Sequence, residues 1–207
     1  MIKTITSLLL MMSIALLTAC ASTQLVTEWH DKTYQGGKIN KLLVIGVTKN
    51  ELYRRSYEDG IVKQLQQAGV NAVASYTLME DLAKYDEKEK LEQAVNKINA
   101  DGIIVAKLID VDKSERYIPP SYDVSPSVGY YGGYYGSYRA AVGVSYQPGY
   151  VQKSTTIRIG TEVFSTQDEK LIWAAETESF NPSSYQKVID ELAVITQKGL
   201  KENGFIN

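Results

Sequence analysis

The sequence predicts an α/β domain built on a mixed β-sheet, as a three-layer or two-layer sandwich. Three observations carry that expectation. Short runs rich in Val and Ile alternate with stretches of helical period through the first half, the pattern of βαβ units and a parallel sheet. The second half changes to alternating apolar and polar residues, as antiparallel strands with one solvated face require. The composition, 44% hydrophobic and 22% charged over 207 residues, is globular and excludes wholesale disorder, collagen-like repeats and coiled coil.

Ala21 to Asn40 is polar, holds Gly36 and Gly37 and shows no apolar period. It reads as a tether, with Leu25 to Trp29 packing on the domain as the alternative. From Lys41 to Asn207 there is chain enough for one core. Leu42 to Val47 is a continuous apolar run suited to a strand covered on both faces. In Glu51 to Ala68, Tyr53, Tyr57, Ile61, Leu65 and Ala68 recur at helical spacing and Gly69 is a stop signal. Val70 to Ser75 is a second strand. Asp86 and Glu89 form a cap-like pair ahead of a helix whose face is Leu91, Ala94, Val95 and Ile98. Gly102 to Val111 is a third buried strand, and the β-α-β-α-β opening implies right-handed crossovers. Val142 to Tyr146, Thr155 to Ser165 and Leu171 to Thr177 read as strands, the last two joined as a hairpin. A final helix from about Ser183 to Glu202 turns Val188, Ile189, Leu192, Ile195 and Leu200 inward, with Gly204 as its cap.

The LLVIGV strand, the RRSYEDGIVKQLQQAG helix with its VNAVAS strand, ADGIIVAKLIDV, LIWAAE and the closing VIDELAVITQKGLKENGFI together resemble a family of bacterial lipoproteins carrying a domain of unknown function. The resemblance covers most of the chain. It implies a fold similar to the amino-terminal domain of TolB and to the periplasmic domain of curli-export lipoproteins, and it brings no activity with it. The two long amphipathic membrane hairpins of the curli-export pore have no counterpart in this sequence.

Residues 1–19 have the three-part shape of an export signal: Lys3 near the start, an apolar run from Ile5 to Leu17, then small residues. The run is shorter than the roughly 20 residues a membrane span needs. It ends in Leu17-Thr18-Ala19-Cys20, which resembles the lipobox of bacterial lipoproteins. That resemblance implies cleavage between Ala19 and Cys20 and acylation of Cys20, whose soft thiol can form the thioether to diacylglycerol. Several acyl chains hold a protein stably where a single one does so only marginally. Ala21 stands where an Asp would resemble an inner-membrane retention signal, so the expected address is the outer membrane, facing the periplasm. Losing Lys3 leaves 21 basic residues (22 minus 1) against 24 acidic, a net charge of −3. Such a balance argues against nucleic acid as partner and adds no electrostatic grip on anionic lipid.

Between Tyr117 and Tyr150 lie 9 of the 15 tyrosines, 6 of the 15 glycines and 4 of the 5 prolines, with only Asp123 and Arg139 charged. Glycines free the backbone there while the rings offer flat apolar area with a polar tip. Tyr130, Tyr131, Tyr134, Tyr135 and Tyr138 are the candidate contacts for an envelope protein or a glycan. A long connection or hairpin extension with no binding role is the alternative.

No grouping for catalysis stands out. The one cysteine gives no intrachain disulfide and the one histidine, His30, no His-rich zinc site. His30, in Trp29-His30-Asp31, has no Gly-x-Ser-x-Gly elbow to serve as base. Asp110, Asp112 and Glu115 at alternating positions suit either a hard cation or the solvated end of a strand. Arg54 with Glu58 and Arg55 with Asp59 are i, i+4 pairs, either a salt-bridged solvent face or a receiver for an anion at the sheet mouth. Neither phosphate-loop pattern is present around Gly46. The expected protein is a non-enzymatic interaction or accessory component of the envelope, without a cofactor. The alternative is an oligomerising assembly or transport subunit resembling curli-export lipoproteins.

Overall fold

The computed structural model describes residues 22–85, 87–124 and 144–207. Its elements, in chain order, are β1 (Thr23–His30), β2 (Lys41–Val47), α1 (Glu51–Gln67), β3 (Asn71–Ala74), α2 (Lys88–Ile98), β4 (Gly102–Ile118), β5 (Ser121–Val124), β6 (Val144–Gln147), β7 (Tyr150–Ser165), β8 (Leu171–Phe180) and α3 (Tyr185–Glu202). The chain divides into a main unit, residues 1–111 and 156–207, and a small unit, residues 112–155. The α/β class holds: six strands form a mixed sheet in the order β1-β8-β7-β4-β2-β3. β2 lies parallel to both β3 and β4, while β8 lies antiparallel to β7 and β1.

β2 shows why the apolar run is buried on both sides. Successive strand residues point to opposite faces, so Leu42 and Val44 enter one core with Ile61, Leu65, Ile189, Leu192 and Leu200 of α1 and α3. Leu43 and Ile45 enter a second core with Ala94 and Val95 of α2 and with Met79. The sheet therefore has three layers around β2. Along β8 the buried Trp173, Ala175, Thr177 and Ser179 alternate with partly exposed Ala174, Glu176 and Glu178, so there the sandwich has two layers.

The helix ends follow local chemistry. Asn50 caps α1 by accepting from the amides of Leu52 and Tyr53 at 3.0 and 3.3 Å, and Ser184 caps α3 by accepting from Lys187 N. Gly69 and Gly204 take positive φ just past α1 and α3, as a left-handed helix exit favours. The expected Asp86 and Glu89 cap is not what opens α2. The cap position is Glu87, whose side chain makes no capping hydrogen bond and pairs with Lys90 instead, and Asp86 lies outside the described residues.

Gly60 sits where α1 meets α3, and a Cβ there would lie 2.5 Å from Ile189 Cγ2. Ile189 is β-branched and cannot swing clear without moving its helix. Gly60→Ala gains about 1 kcal/mol of helix propensity but overpacks the contact by about 1–3 kcal/mol. The variant is expected to be less stable than the wild type by about 1 kcal/mol in urea unfolding. A gain in stability would contradict the close approach.

Part of the stretch expected to be a tether is a strand. β1 pairs antiparallel with β8 from Thr23↔Ser179 to His30↔Trp173, with a bulge between Leu25 and Thr27. An edge strand is paired on one side only, and all of its central residues stay exposed, so no burial period marks it in the sequence. In the small unit, β5 and β6 pair antiparallel from Ser121↔Gln147 to Val124↔Val144, so the flanks of the tyrosine-rich segment meet as a hairpin extension requires.

Candidate functional site

The carboxyl ends of the parallel strands, where open α/β sheets place ligands, open onto the start of α1. At this mouth the Arg54–Glu58 pair is buried, with side-chain exposures of 1% and 0%, and is not the solvent face that its spacing suggested. Arg54 spends all five of its N–H donors inside the protein. Nε donates to Glu58 Oε1 at 3.1 Å, Nη1 to Glu51 Oε2 and the Glu80 carbonyl, and Nη2 to Ser75 Oγ and the Met79 carbonyl. No donor is left for an anion, so the reading of Arg54 as an anion receiver is also overturned.

Glu58 is saturated as well. Its carboxylate accepts from Gly46 N at 3.0 Å, Ser75 Oγ at 2.7 Å and Tyr76 N at 2.9 Å besides Arg54. The cluster ties the ends of β2 and β3 to α1. Arg55 pairs with Glu51 at 3.0 Å rather than with Asp59 and stacks over the Tyr76 ring at 5.0 Å. Asp59 instead accepts from the Tyr76 hydroxyl.

On the other side of the mouth lies an apolar groove of about 180 Å³, lined by Val47, Tyr53, Tyr57, Leu108, Ile157 and Val188 among others. The Tyr53 and Tyr185 rings pack 4.6 Å apart on its rim. Tyr53, expected to face inward, is 38% exposed, and Leu108 is 56% exposed. Tyr57 forms the floor, where burial pushes its phenol above the ordinary range and the Thr161 hydroxyl beside it opposes that shift. The two hydroxyls do not reach hydrogen-bonding geometry. The groove offers shape and apolar area, and the charged residue in its lining, Lys107, is ion-paired with Glu162 at 2.6 Å.

A second feature lies where the described chain begins. The Glu191 carboxylate of α3 accepts from Ser22 N at 3.1 Å, Ser22 Oγ at 3.0 Å and Thr23 N at 2.8 Å, and Ser22 O accepts from Phe180 N. Farther along β1, the bulge turns Glu28 toward the helices, where it accepts from the buried Trp173 Nε1 at 2.6 Å and from Asn203 Nδ2 at 2.8 Å. Desolvation alone would raise the Glu191 pKa, but the hydrogen bonds from Thr23 and Ser22 outweigh it and hold the carboxyl below its ordinary value.

A depressed folded pKa contributes stability that is complete above the unfolded value, near 4.5, and is lost as pH falls through the folded value. Amide-exchange protection of Thr23 is therefore expected to be constant near neutrality and to fall as the pH drops below about 4.5. The Glu191→Gln variant should lose that pH dependence. Protection in the wild type that persists unchanged through that range would contradict the clamp.

Of the residues singled out from the sequence, Ala19, Cys20 and Tyr130, Tyr131, Tyr134, Tyr135 and Tyr138 lie outside the described residues. His30 ends β1 opposite Trp173, and its neighbour Asp31 is committed to the Thr33 amide and hydroxyl at 2.8 and 2.7 Å. Asp110 faces Arg158 at 3.9 Å and Glu115 pairs with Lys153 at 2.9 Å. Among the described residues no group of three His, Cys, Asp or Glu is placed to hold a metal ion, and no helix is long and apolar enough to cross a membrane. Sequence reasoning missed Glu28, Trp173 and Glu191. Arg54 and Glu58 were traceable, since they share the stripe of Ile61 and Leu65 at steps of four, three and four.

No family model and no curated protein matches the chain. Among solved structures, the fold is similar to the PelC dodecamer from Paraburkholderia phytofirmans, with 13% identity, 87% of this chain and 96% of that chain covered and a TM-score of 0.45. It is also similar to lipoprotein GNA1162 from Neisseria meningitidis, with 9% identity, 78% and 98% covered and a TM-score of 0.41.

Proposed function

We propose that this chain is a lipoprotein of the outer membrane, held by acyl chains on Cys20, facing the periplasm and acting as a non-enzymatic interaction or accessory protein of the envelope. One observation carries the reading. A single residue, Ala21, separates the cysteine of Leu17-Thr18-Ala19-Cys20 from Ser22, whose amide and hydroxyl are held by Glu191. A chain cut before Cys20 would present its new amino terminus directly at the edge of a folded body.

The contact surfaces for a partner are the tyrosines from 130 to 138 and the apolar groove, whose flat rings and open walls suit a protein or a glycan. Cell fractionation tests the anchoring. The wild type should sediment with outer membranes and Cys20→Ala should appear in the soluble fraction. Equal sedimentation of the two would refute it.

A second reading, an oligomerising assembly or transport subunit, is favoured by the outer edge of β1. Leu25, Val26 and Trp29 are 44%, 51% and 50% exposed there, and an unpaired edge is a template for another chain. Light scattering on the purified protein separates the two readings, since a particle several times the mass of the chain supports the second.

A further inference from the structure

We infer that the end of the main unit bearing Ser22, Glu191 and Phe180 rests on the bilayer, with Phe180 seated among the lipid headgroups beside the acylated cysteine. The inference rests on the acylation of Cys20, and the geometry around Ser22 takes it further. Twenty residues of free tether would let the body stand roughly 65–70 Å from the membrane in any orientation. β1 removes that freedom. With Ser22 fixed by three hydrogen bonds to Glu191 and by the Phe180 amide, only two Cα–Cα steps, about 7 Å, remain to Cys20.

Acyl chains attached that close to the body bring the surface around Ser22 down to the headgroups. The side chain waiting there is Phe180, 56% exposed at the end of β8 and one position beyond the Thr23↔Ser179 pair. A single exposed phenyl ring is ordinary on a protein surface, but one held this close to the acylation point has the apolar face that suits a lipid interface. Lys187, at the same end, is ion-paired with Glu191 at 3.8 Å, so this end seats by its apolar ring and not by charge. Trp29, by contrast, stands six residues up β1 from Thr23, about 20 Å away at strand rise.

The test uses the full acylated protein in phosphatidylcholine vesicles whose acyl chains are brominated. With Phe180→Trp and Trp29→Phe combined, the emission in excess of the Trp29→Phe chain, which keeps the buried Trp173, should fall at least about twofold relative to unbrominated vesicles, while the wild-type emission, from Trp29 and Trp173, stays unchanged. Inserting ten Gly/Ser residues between Ala21 and Ser22 should abolish the quenching. Equal fluorescence from position 180 in the two kinds of vesicle would overturn the inference while leaving the anchor in place. A mass spectrum of the same sample lacking the acyl groups would overturn both, and separately. If the tryptophan variant does not fold, amide exchange decides: residues 179–186 of the wild type on vesicles should exchange at least about threefold more slowly than in soluble Cys20→Ala. Equal rates would overturn the inference.

Discussion

Replacing Glu58 with alanine is expected to lower the stability of the domain by about 3–5 kcal/mol, the cost of leaving one half of a buried ion pair without its partner. For a domain of this size that is a fall in Tm of roughly 10 °C or more. Arg54 would keep four of its five donors satisfied, but its charge would sit at 1% exposure with only Glu51, partly exposed, to balance it. The backbone amides of Gly46 and Tyr76, which Glu58 now receives, would also lose their acceptor at about 1–3 kcal/mol for a buried group.

Those amides separate this cluster from a simple ion pair. Swapping both partners for apolar residues often restores a buried pair's stability. Here Arg54→Met with Glu58→Leu should recover only part of the loss, because Gly46 and Tyr76 stay unpaired. The double-mutant cycle is expected to show coupling of about 0.5–3 kcal/mol. A loss below about 1 kcal/mol for Glu58→Ala would mean that water reaches the cluster and that it does not bind β2 and β3 to α1.

Trp173→Ala is the second large effect, expected at about 3–5 kcal/mol. Trp173 is wholly buried on β8, and a Cβ on Gly199 of α3 would lie 2.6 Å from its Cζ2, so the indole fills the space between sheet and helix to contact. Its N–H also holds Glu28, which fastens β1. The substitution should therefore do more than open a cavity. Amide protection across β1 should fall further than protection across β2, whose two faces are buried independently. Trp173→Phe keeps much of the volume but removes the donor, so it should weaken β1 while costing less overall. Equal loss of protection in both strands would show that Glu28 adds nothing to the docking of β1.

The fold was legible in the sequence wherever burial imposed a period. Leu42 to Val47 announces a strand covered on both faces, and Val188, Ile189, Leu192 and Leu200 announce the inward face of α3, because a core filters residue type at every step of the repeat. β1 carries no such filter. It is held by hydrogen bonds to β8 and by two carboxylates, Glu28 and Glu191, whose partners are about 145 and 169 residues away along the chain and leave no local trace. The bulge at Val26 hides it further, since one extra residue shifts the side-chain alternation midway.

The site was only half legible. An Arg and a Glu four apart read as a solvent-exposed pair, because charge is mostly found at the surface. Their phase with Ile61 and Leu65 pointed inward, and phase proved the better guide than residue type. The tyrosine stripe misled in the opposite sense: Tyr53 keeps helical step with Tyr57 yet sits on the groove rim, stacked on Tyr185 rather than in the core. Cys20 and its neighbours lie outside the described residues, and their reading rests on the sequence alone, a thiol placed at the end of an apolar run.

The mature protein is expected to begin at an acylated Cys20. Metabolic labelling with a fatty acid, followed by the intact mass of the purified chain, tests it most directly. The expected result is a labelled chain of 188 residues (207 minus the first 19) carrying a diacylglycerol thioether and an amide-linked acyl group, with no label in Cys20→Ala. An unlabelled chain, or a label that persists in Cys20→Ala, would contradict it.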